Sequence, residues 1–225
     1  MDYSQTARHN MIDGQLAPGT AVDPKVTAAF GVTPREKFVP EIYQNCAYAD
    51  EDLPLGNGRY LMQPLTLGLM LQEAQIKEGD NTLVIGGSTG YSSLVLSHLG
   101  CKVTMVEEQR ELADAARRIF SDLGAGQIKV QMGGLQAGHK AGAPYDVILV
   151  DGAAEYVPDA LVKQLGDDGR LLVVLCKNKA GTPNVAGVGQ ITVMTKQGDQ
   201  LNSRVVGDAS VPTLPPFKKD DTFAL

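Results

Sequence analysis

Two short runs of the sequence are apolar at every position, and they constrain the fold more than any other feature. Val147–Val150 and Leu171–Val174 have the length of buried strands and carry no polar residue that could face water. Strands of this kind occur in parallel sheets that are covered by helices on both faces. The sequence therefore predicts an α/β protein with a central, buried sheet.

Alternating strand and helix patterns surround these runs. We predict strands at 81–85, 102–106, 128–132, 145–150 and 170–176, and helices at 91–99, 108–123 and 158–165. After Cys176 the segments Gln190–Lys196 and Leu201–Gly207 alternate about a Gly-Asp turn, which indicates an antiparallel hairpin at the sheet edge. Residues 181–187 have a loop-like composition. The proline-rich segment from Pro212 onward is predicted to be a loosely ordered, solvated tail.

The first third of the chain mixes short helices with loops. Asp23-Pro24 is typical of a helix start, so we predict a short helix through Val26–Phe30. Asp50–Met62 has the composition of an irregular loop, and Gln63-Pro64 opens a helix that stops at Gly79. With 225 residues, the chain is predicted to form one domain over 1–225, with a helical and loop cap over 1–79 and an α/β core over 80–210.

Composition narrows the class of protein. The chain is 43% hydrophobic and 20% charged, which is typical of an ordered globular protein. Its net charge of −6 has the wrong sign for neutralising a phosphate backbone, so we expect no nucleic-acid partner. No apolar run approaches the roughly 20 residues of a membrane span. We therefore expect a cytoplasmic protein without a membrane partner, and a monomer because no long heptad pattern or apolar edge is present.

The three cysteines predict neither a disulfide framework nor a metal site. Cys46, Cys101 and Cys176 are odd in number and widely spaced, and none belongs to a C-x-x-C pair. We expect all three to be small core residues.

The strongest local motif is the glycine turn Gly86-Gly87-Ser88-Thr89-Gly90, between a predicted strand and a predicted helix. Such a turn brings free N–H groups and a helix N-terminus close to a ligand. The dinucleotide motif G-x-G-x-x-G would need glycine where Ser88 and Tyr91 stand, so a pyrophosphate ligand is disfavoured. The turn suits a ligand without pyrophosphate, such as S-adenosylmethionine.

Two acids are placed to share this site. Glu107 follows a neighbouring strand, where a carboxylate can accept hydrogen bonds from ribose hydroxyls; the alternative, which does not exclude this role, is that it caps the next helix. Asp151 follows the strand at 145–150 and is either a substrate-orienting group or a turn-capping carboxylate. We expect the turn and Glu107 to border an open crevice.

The turn also matches the G-x-S-x-G nucleophile elbow of hydrolases, with Ser88 as the nucleophile. No histidine follows His139, and a late histidine is what such a triad would need. A hydrolase is therefore the weakest alternative.

From about Ala7 to Leu214 the sequence resembles the protein-L-isoaspartate O-methyltransferase family. The segments that carry the resemblance are, in order, ARHNMIDGQL, TPREKFVPE, AYADEDLPLGNGRYLMQP, LVIGGSTGYSS, APYDVILVDGAA and VPDALVKQLGDDGRLLVVL. The resemblance implies a Rossmann-like class I methyltransferase sandwich, with a seven-stranded, mostly parallel sheet and a C-terminal antiparallel hairpin. It implies S-adenosylmethionine as the methyl donor and a protein or small-molecule carboxylate as the acceptor.

The resemblance also implies roles for individual residues. The implied catalytic residues are Gln63 and Asp151, and the implied cofactor contacts are Gly86, Gly87, Ser88, Thr89, Gly90, Glu107, Gly134 and Leu135.

The sequence departs from the family pattern at the chemical sites. Met62 stands where the family has a hydroxyl residue before the Gln-Pro pair, and a thioether cannot donate a hydrogen bond. Val84 and Gly134 replace acids, and Ser88 replaces the middle glycine of the turn. Two alternatives therefore stay open: a methyltransferase with a different acceptor, and a non-catalytic binding module that keeps the fold.

Overall fold

The computed structural model describes residues 3–18, 22–176 and 188–219. The helices are α1 (Tyr3–Met11, continued by a π-helical turn to Leu16), α2 (Pro24–Val32), α3 (Pro64–Glu73), α4 (Tyr91–His98), α5 (Arg110–Asp122) and the short α6 (Asp159–Val162). The strands are β1 (Leu53–Gly56), β2 (Arg59–Leu61), β3 (Asn81–Ile85), β4 (Lys102–Glu107), β5 (Lys129–Met132), β6 (Tyr145–Ala154), β7 (Leu165–Leu175), β8 (Val188–Gln197) and β9 (Gln200–Ser210).

Seven of the strands form one sheet in the order β5-β4-β3-β6-β7-β8-β9. The first five strands in this order pair in parallel, and β8 and β9 add an antiparallel hairpin at one edge. The predicted fold class is confirmed, with strand ends shifted by a few residues. The predicted helix at 158–165 is shorter than expected because β7 begins at Leu165. The predicted loop at 181–187 lies outside the described residues.

Alternate residues of the central strands pack into cores on opposite faces of the sheet, as the all-apolar runs predicted. Val84 and Leu149 contribute to the core that also contains side chains of α2, α3, α4 and α5. Leu83 and Ile148 contribute to the second core, which contains Leu161 of α6. Both faces are therefore covered, and ligands can approach the sheet only at its edges and strand ends.

Three local predictions were wrong. Asp50–Met62 is not an irregular loop: it contains the antiparallel hairpin β1–β2 around Asn57-Gly58. Cys46 is exposed, because it lies on a short surface 3₁₀ helix, whereas the other two cysteines are buried as expected.

The third correction concerns the predicted solvated tail. Val211, Leu214 and Phe217 are buried, so residues 211–219 form a strap packed along the end of β6. Backbone hydrogen bonds from Ala153 N to the Pro212 oxygen (3.1 Å) and from Leu214 N to the Ala153 oxygen (2.9 Å) hold it there. Every third side chain from Val211 to Phe217 is buried, and Pro215–Phe217 forms a 3₁₀ helix, a pattern that the proline and charge content obscured. No helix among the described residues is long and apolar enough to cross a membrane.

Candidate cofactor crevice

The glycine turn lies at the carboxyl end of β3 and leads directly into α4. Gly86 (φ +74°), Ser88 (φ +53°) and Gly90 (φ +100°) adopt left-handed backbone conformations that permit this tight reversal. A Cβ on Gly90 would collide with the Phe120 ring, and one on Gly87 would lie 2.6 Å from Met105 Cγ. The turn is thus closely packed against side chains of α5 and β4.

Glu107 ends β4 beside this turn, as predicted, and its side chain is completely buried. Its Oε1 accepts hydrogen bonds from the backbone N–H groups of Glu108 and Gln109, both at 2.9 Å. Its Oε2 accepts the Ser88 N–H at 3.0 Å. Backbone donors from the turn and from the start of α5 therefore orient the carboxylate and supply three of its four lone-pair partners.

The fourth partner of Glu107 is a side chain from the β1–β2 hairpin. Arg59 Nη2 donates to Glu107 Oε2 at 2.5 Å, and both side chains are fully buried. Arg59 Nε and Nη1 are buried as well and have no hydrogen-bond partner among the described residues. The carboxylate that was predicted to receive ribose hydroxyls is therefore saturated by groups of the chain itself.

Side chains also occupy the space above the turn. A Cβ on Gly86 would lie 3.0 Å from Arg59 Nη2, 3.2 Å from Leu214 Cδ1 and 3.4 Å from Leu135 Cδ1. The expected open crevice is thus wrong for this conformation, because the hairpin and the 211–219 strap both send side chains into it. While this ion pair is formed, Arg59 takes the lone pair of Glu107 that a ribose hydroxyl would need.

Asp151 lies at the same edge of the sheet and is nearly buried, with 7% of its surface exposed. Ser92 Oγ of α4 donates to its Oδ2 at 2.5 Å. Burial raises the pKa of Asp151 to about 6, against the opposing effects of the Ser92 hydrogen bond and the positive charges of Arg59 and Arg35. Asp151 is therefore a carboxyl that can change protonation state near neutral pH.

Gln63 lies at the junction of β2 and α3, as predicted. Its Nε2 donates to Thr66 Oγ1 at 2.8 Å and to the Ser210 carbonyl at 3.3 Å, while its backbone N–H donates to Asp52 Oδ1 at 2.9 Å. The preceding Met62 is buried, with its side chain in the core. The position where the family has a hydroxyl therefore presents no donor.

The other predicted contacts fall into two groups. Leu135 is fully buried, whereas Gly134 is exposed at the end of β5 and a Cβ there would meet no atom within 4 Å. In the turn, Thr89 Oγ1 donates to the Phe38 carbonyl at 2.7 Å and Ser88 Oγ to the Gly86 carbonyl at 3.2 Å. Ser88 is 2% exposed and its hydroxyl is bonded to the backbone of the turn, an unsuitable position for a nucleophile.

Sequence reasoning missed Arg59, the residue that most changes this site. The available signal was a lone arginine in the otherwise uncharged run LPLGNGRYLM. Arg59 is separated from Glu107 by 48 residues, so the pairing is visible only after the chain has folded.

The strand order, the glycine turn after β3 and the acid at the end of β4 are those of a Rossmann-like class I methyltransferase. The family model described as Protein-L-isoaspartate(D-aspartate) O-methyltransferase matches residues 6–198. The chain belongs to this family. The predicted family, and with it the class of S-adenosylmethionine-dependent methyltransferases, is confirmed.

Relatives in two bacteria illustrate the similarity. The chain is 34% identical over 213 residues to a protein-L-isoaspartate O-methyltransferase of Methylorubrum populi, covering 94% of this chain and 96% of the relative. It is 36% identical over 166 residues to protein-L-isoaspartate O-methyltransferase 1 of Rhodopseudomonas palustris, covering 74% and 68%.

Two solved structures share the fold. A protein-L-isoaspartate O-methyltransferase superposes with a TM-score of 0.80 at 24% identity, over 92% of this chain and 65% of that one, so this chain spans slightly less than two thirds of that protein. A putative Plasmodium falciparum family member in complex with S-adenosyl-L-homocysteine superposes with a TM-score of 0.73 at 16% identity, over 94% and 97%. At these identities the two structures support the fold alone.

Proposed function

We propose that this chain is an S-adenosylmethionine-dependent O-methyltransferase that acts on a carboxylate of a protein or small molecule. The observation that carries the proposal is the arrangement of the turn and the acid at one sheet edge. Gly86, Ser88 and Gly90 keep the left-handed backbone of the turn, and the Ser88 N–H holds the Glu107 carboxylate at 3.0 Å. Family membership supplies the activity for which this arrangement is suited.

The roles of individual residues follow from their positions in the site. We assign ribose binding to Glu107 and the backing of the cofactor to the turn 86–90, with Gly134 and Leu135 at the neighbouring strand end. Gln63 and Asp151 are assigned to orienting the acceptor. A carboxylate acceptor is already ionised near neutral pH, so these groups need only to position it. With Arg59 on Glu107 the ribose contact cannot form, and we assign no chemical step to this conformation.

The buried Arg59–Glu107 pair favours a second candidate function. A chain that never releases Glu107 would keep the fold as a non-catalytic binding module. Met62 adds to this alternative, because no hydroxyl stands beside Gln63 to hold an isoaspartyl carboxylate or amide. The same substitution also favours an acceptor other than an isoaspartyl residue.

Calorimetry separates these candidates. Wild-type protein is titrated with S-adenosylmethionine and S-adenosylhomocysteine, and methyl transfer to an isoaspartyl peptide is then measured, with Asp151→Asn as a variant that separates binding from turnover. Cofactor binding with transfer supports the proposed function. Binding without transfer to this peptide points to a different acceptor. The absence of heat from folded protein at millimolar ligand contradicts the enzyme and supports the module.

We also propose a cytoplasmic monomer without a nucleic-acid partner, on the basis of its net charge of −6 and its patterning. The division into a cap over 1–79 and a core over 80–210 stays a prediction. Light scattering at several protein concentrations tests the monomer, with a concentration-dependent mass as the contradicting result.

A further inference from the structure

The ion pair between Arg59 and Glu107 occupies the carboxylate to which we assign the ribose of the cofactor. Four donors fill the carboxylate of Glu107, and three of them are backbone N–H groups that belong to the turn and to the start of α5. These three are fixed by the fold. Arg59 Nη2 is the one donor whose removal would free a lone pair of Glu107 for a ligand hydroxyl.

Among the described residues, the Arg59 side chain donates a hydrogen bond to Glu107 alone. Its remaining nitrogen donors, Nε and Nη1, are buried and have no partner among the described residues. A buried donor without a partner raises the free energy of the conformation that contains it. Arg59 therefore gains one strong contact, but desolvation of its other donors raises the free energy of this conformation. Less free energy is then needed to move Arg59 away from Glu107.

The element that carries Arg59 can move without breaking the main sheet. β1 and β2 form a separate two-stranded sheet, with a register irregularity between Pro54 and Gly56. At its tip, a side-chain hydrogen bond from Gln109 Nε2 to the Asn57 carbonyl (3.2 Å) connects the hairpin to α5. A hairpin of two short strands has little stability of its own. Because the Arg59 side chain is fully buried, we expect its withdrawal to require a shift of this hairpin.

We propose that Arg59 is an internal competitor for the ribose-binding carboxylate, so that this chain takes up its cofactor only when Arg59 leaves Glu107. The inference rests on the proposed function. A protein whose binding-competent state is populated at about 1–10% shows an apparent affinity about 10–100-fold below its intrinsic affinity. Arg59 then sets the cofactor affinity of the chain although it makes no contact with the bound cofactor.

The test compares S-adenosylhomocysteine binding to four proteins by calorimetry. These are the wild type, Arg59→Gln, the control Tyr60→Phe on the same hairpin, and the double variant Arg59→Gln/Glu107→Gln. We expect Arg59→Gln to bind S-adenosylhomocysteine at least about tenfold more tightly than the wild type. The control Tyr60→Phe should bind with the affinity of the wild type. The double variant should lose the gain, because the freed carboxylate is what produces it. Thermal unfolding of each protein verifies that it is folded.

A measurement on the wild type alone keeps the proposal testable if Arg59→Gln does not fold. Saturating S-adenosylhomocysteine should speed amide hydrogen exchange in residues 53–61, because the hairpin loses its contact with Glu107. Slower exchange there on binding would overturn the proposal.

Two results of the titration distinguish failure of this inference from failure of the proposed function. If wild type and Arg59→Gln bind equally, or Arg59→Gln binds more weakly, Arg59 is no competitor and the proposed function stands. If neither folded protein binds at millimolar ligand, the proposed function fails, and this inference fails with it.

Discussion

Among the residues that the structure describes, two arginines are fully buried, and they differ in what holds them. Arg35 donates through Nε to the Ala47 carbonyl (2.6 Å) and through Nη2 to the Met62 carbonyl (2.8 Å), and its guanidinium lies 4.8 Å from the centroid of the Tyr91 ring. Among the described residues, Arg59 has one side-chain partner, the Glu107 carboxylate, and two nitrogens without a hydrogen-bond partner, whereas Arg35 has one such nitrogen, Nη1. The first arginine ties three segments of backbone together, whereas the second occupies a site that a ligand could use.

The guanidinium of Arg35 is held by the backbone, whereas the guanidinium of Arg59 occupies a position that a ligand could take. A guanidinium bound to carbonyl groups cannot leave without stranding them, because buried acceptors without donors are costly. A guanidinium bound to a carboxylate that already has three backbone donors leaves behind an acid that is still largely satisfied. We therefore expect Arg35 to determine stability and Arg59 to determine ligand access.

The largest expected effect is the loss of stability when Arg35 is replaced. Arg35→Met removes two buried hydrogen bonds and the contact with Tyr91, and should lower the free energy of unfolding by about 3–5 kcal/mol. Urea unfolding at pH 7 measures the change. A loss below about 1 kcal/mol would contradict the expectation that Arg35 determines the stability of the protein.

The positive charges of both arginines lower the pKa of Asp151, although burial raises this pKa by more. The stability of the protein should therefore depend on pH through Asp151. Because burial raises its pKa from 3.8 to about 6, the folded protein holds more protons than the unfolded chain between these values, and stability falls as pH rises through this window. Asp151→Asn removes this dependence and should gain up to about 3 kcal/mol relative to the wild type between pH 4 and pH 8. Urea unfolding at several pH values measures it, and parallel curves for the two proteins would contradict it.

Replacement of Arg59 should have a smaller effect on stability. Removing one partner of a buried ion pair commonly costs about 3–5 kcal/mol. Glu107 keeps the N–H groups of Ser88, Glu108 and Gln109, and the amide introduced by Arg59→Gln can still donate to it, so we expect a cost of about 2–3 kcal/mol at pH 7. The measurement is the same urea unfolding as for Arg35→Met, with Tyr60→Phe as the control. If Arg59→Gln costs as much as Arg35→Met, the two arginines are equivalent and the distinction is lost.

The smallest expected effect concerns the acid that the family pattern has at Gly134. Gly134 has ordinary backbone angles (φ −65°, ψ 131°) and open space around it, so Gly134→Asp should fold without strain. One added hydrogen bond should tighten S-adenosylhomocysteine binding by about 0.5–1.5 kcal/mol, or about 2–10-fold, in the Arg59→Gln background. Calorimetry on the double variant against Arg59→Gln measures the gain. Unchanged affinity would mean that position 134 does not face the ligand.

The scaffold was predictable because its signals are local. The all-apolar runs that became β6 and β7 identify a buried sheet, and Gly86 through Gly90 identify a tight turn by their residue types alone. The position of Glu107 beside this turn also followed from strand order in a parallel sheet. These features depend on residues close in sequence or on a simple topological rule.

The contents of the crevice were not predictable for the opposite reason. Arg59 reaches Glu107 from a hairpin 48 residues away, and Leu214 reaches Gly86 from the far end of the described chain. No periodicity or motif links residues so far apart. The side chains that fill the site therefore became visible only in the structure, whereas the places of Glu107 and of the turn in the fold could be predicted.

A crystal structure of the wild-type protein grown with excess S-adenosylhomocysteine shows whether Arg59 leaves Glu107 when the ligand binds. We expect a ribose hydroxyl on Glu107 Oε2 and Arg59 Nη2 displaced beyond hydrogen-bonding distance of that oxygen. A bound ligand beside an intact Arg59–Glu107 pair would contradict this expectation.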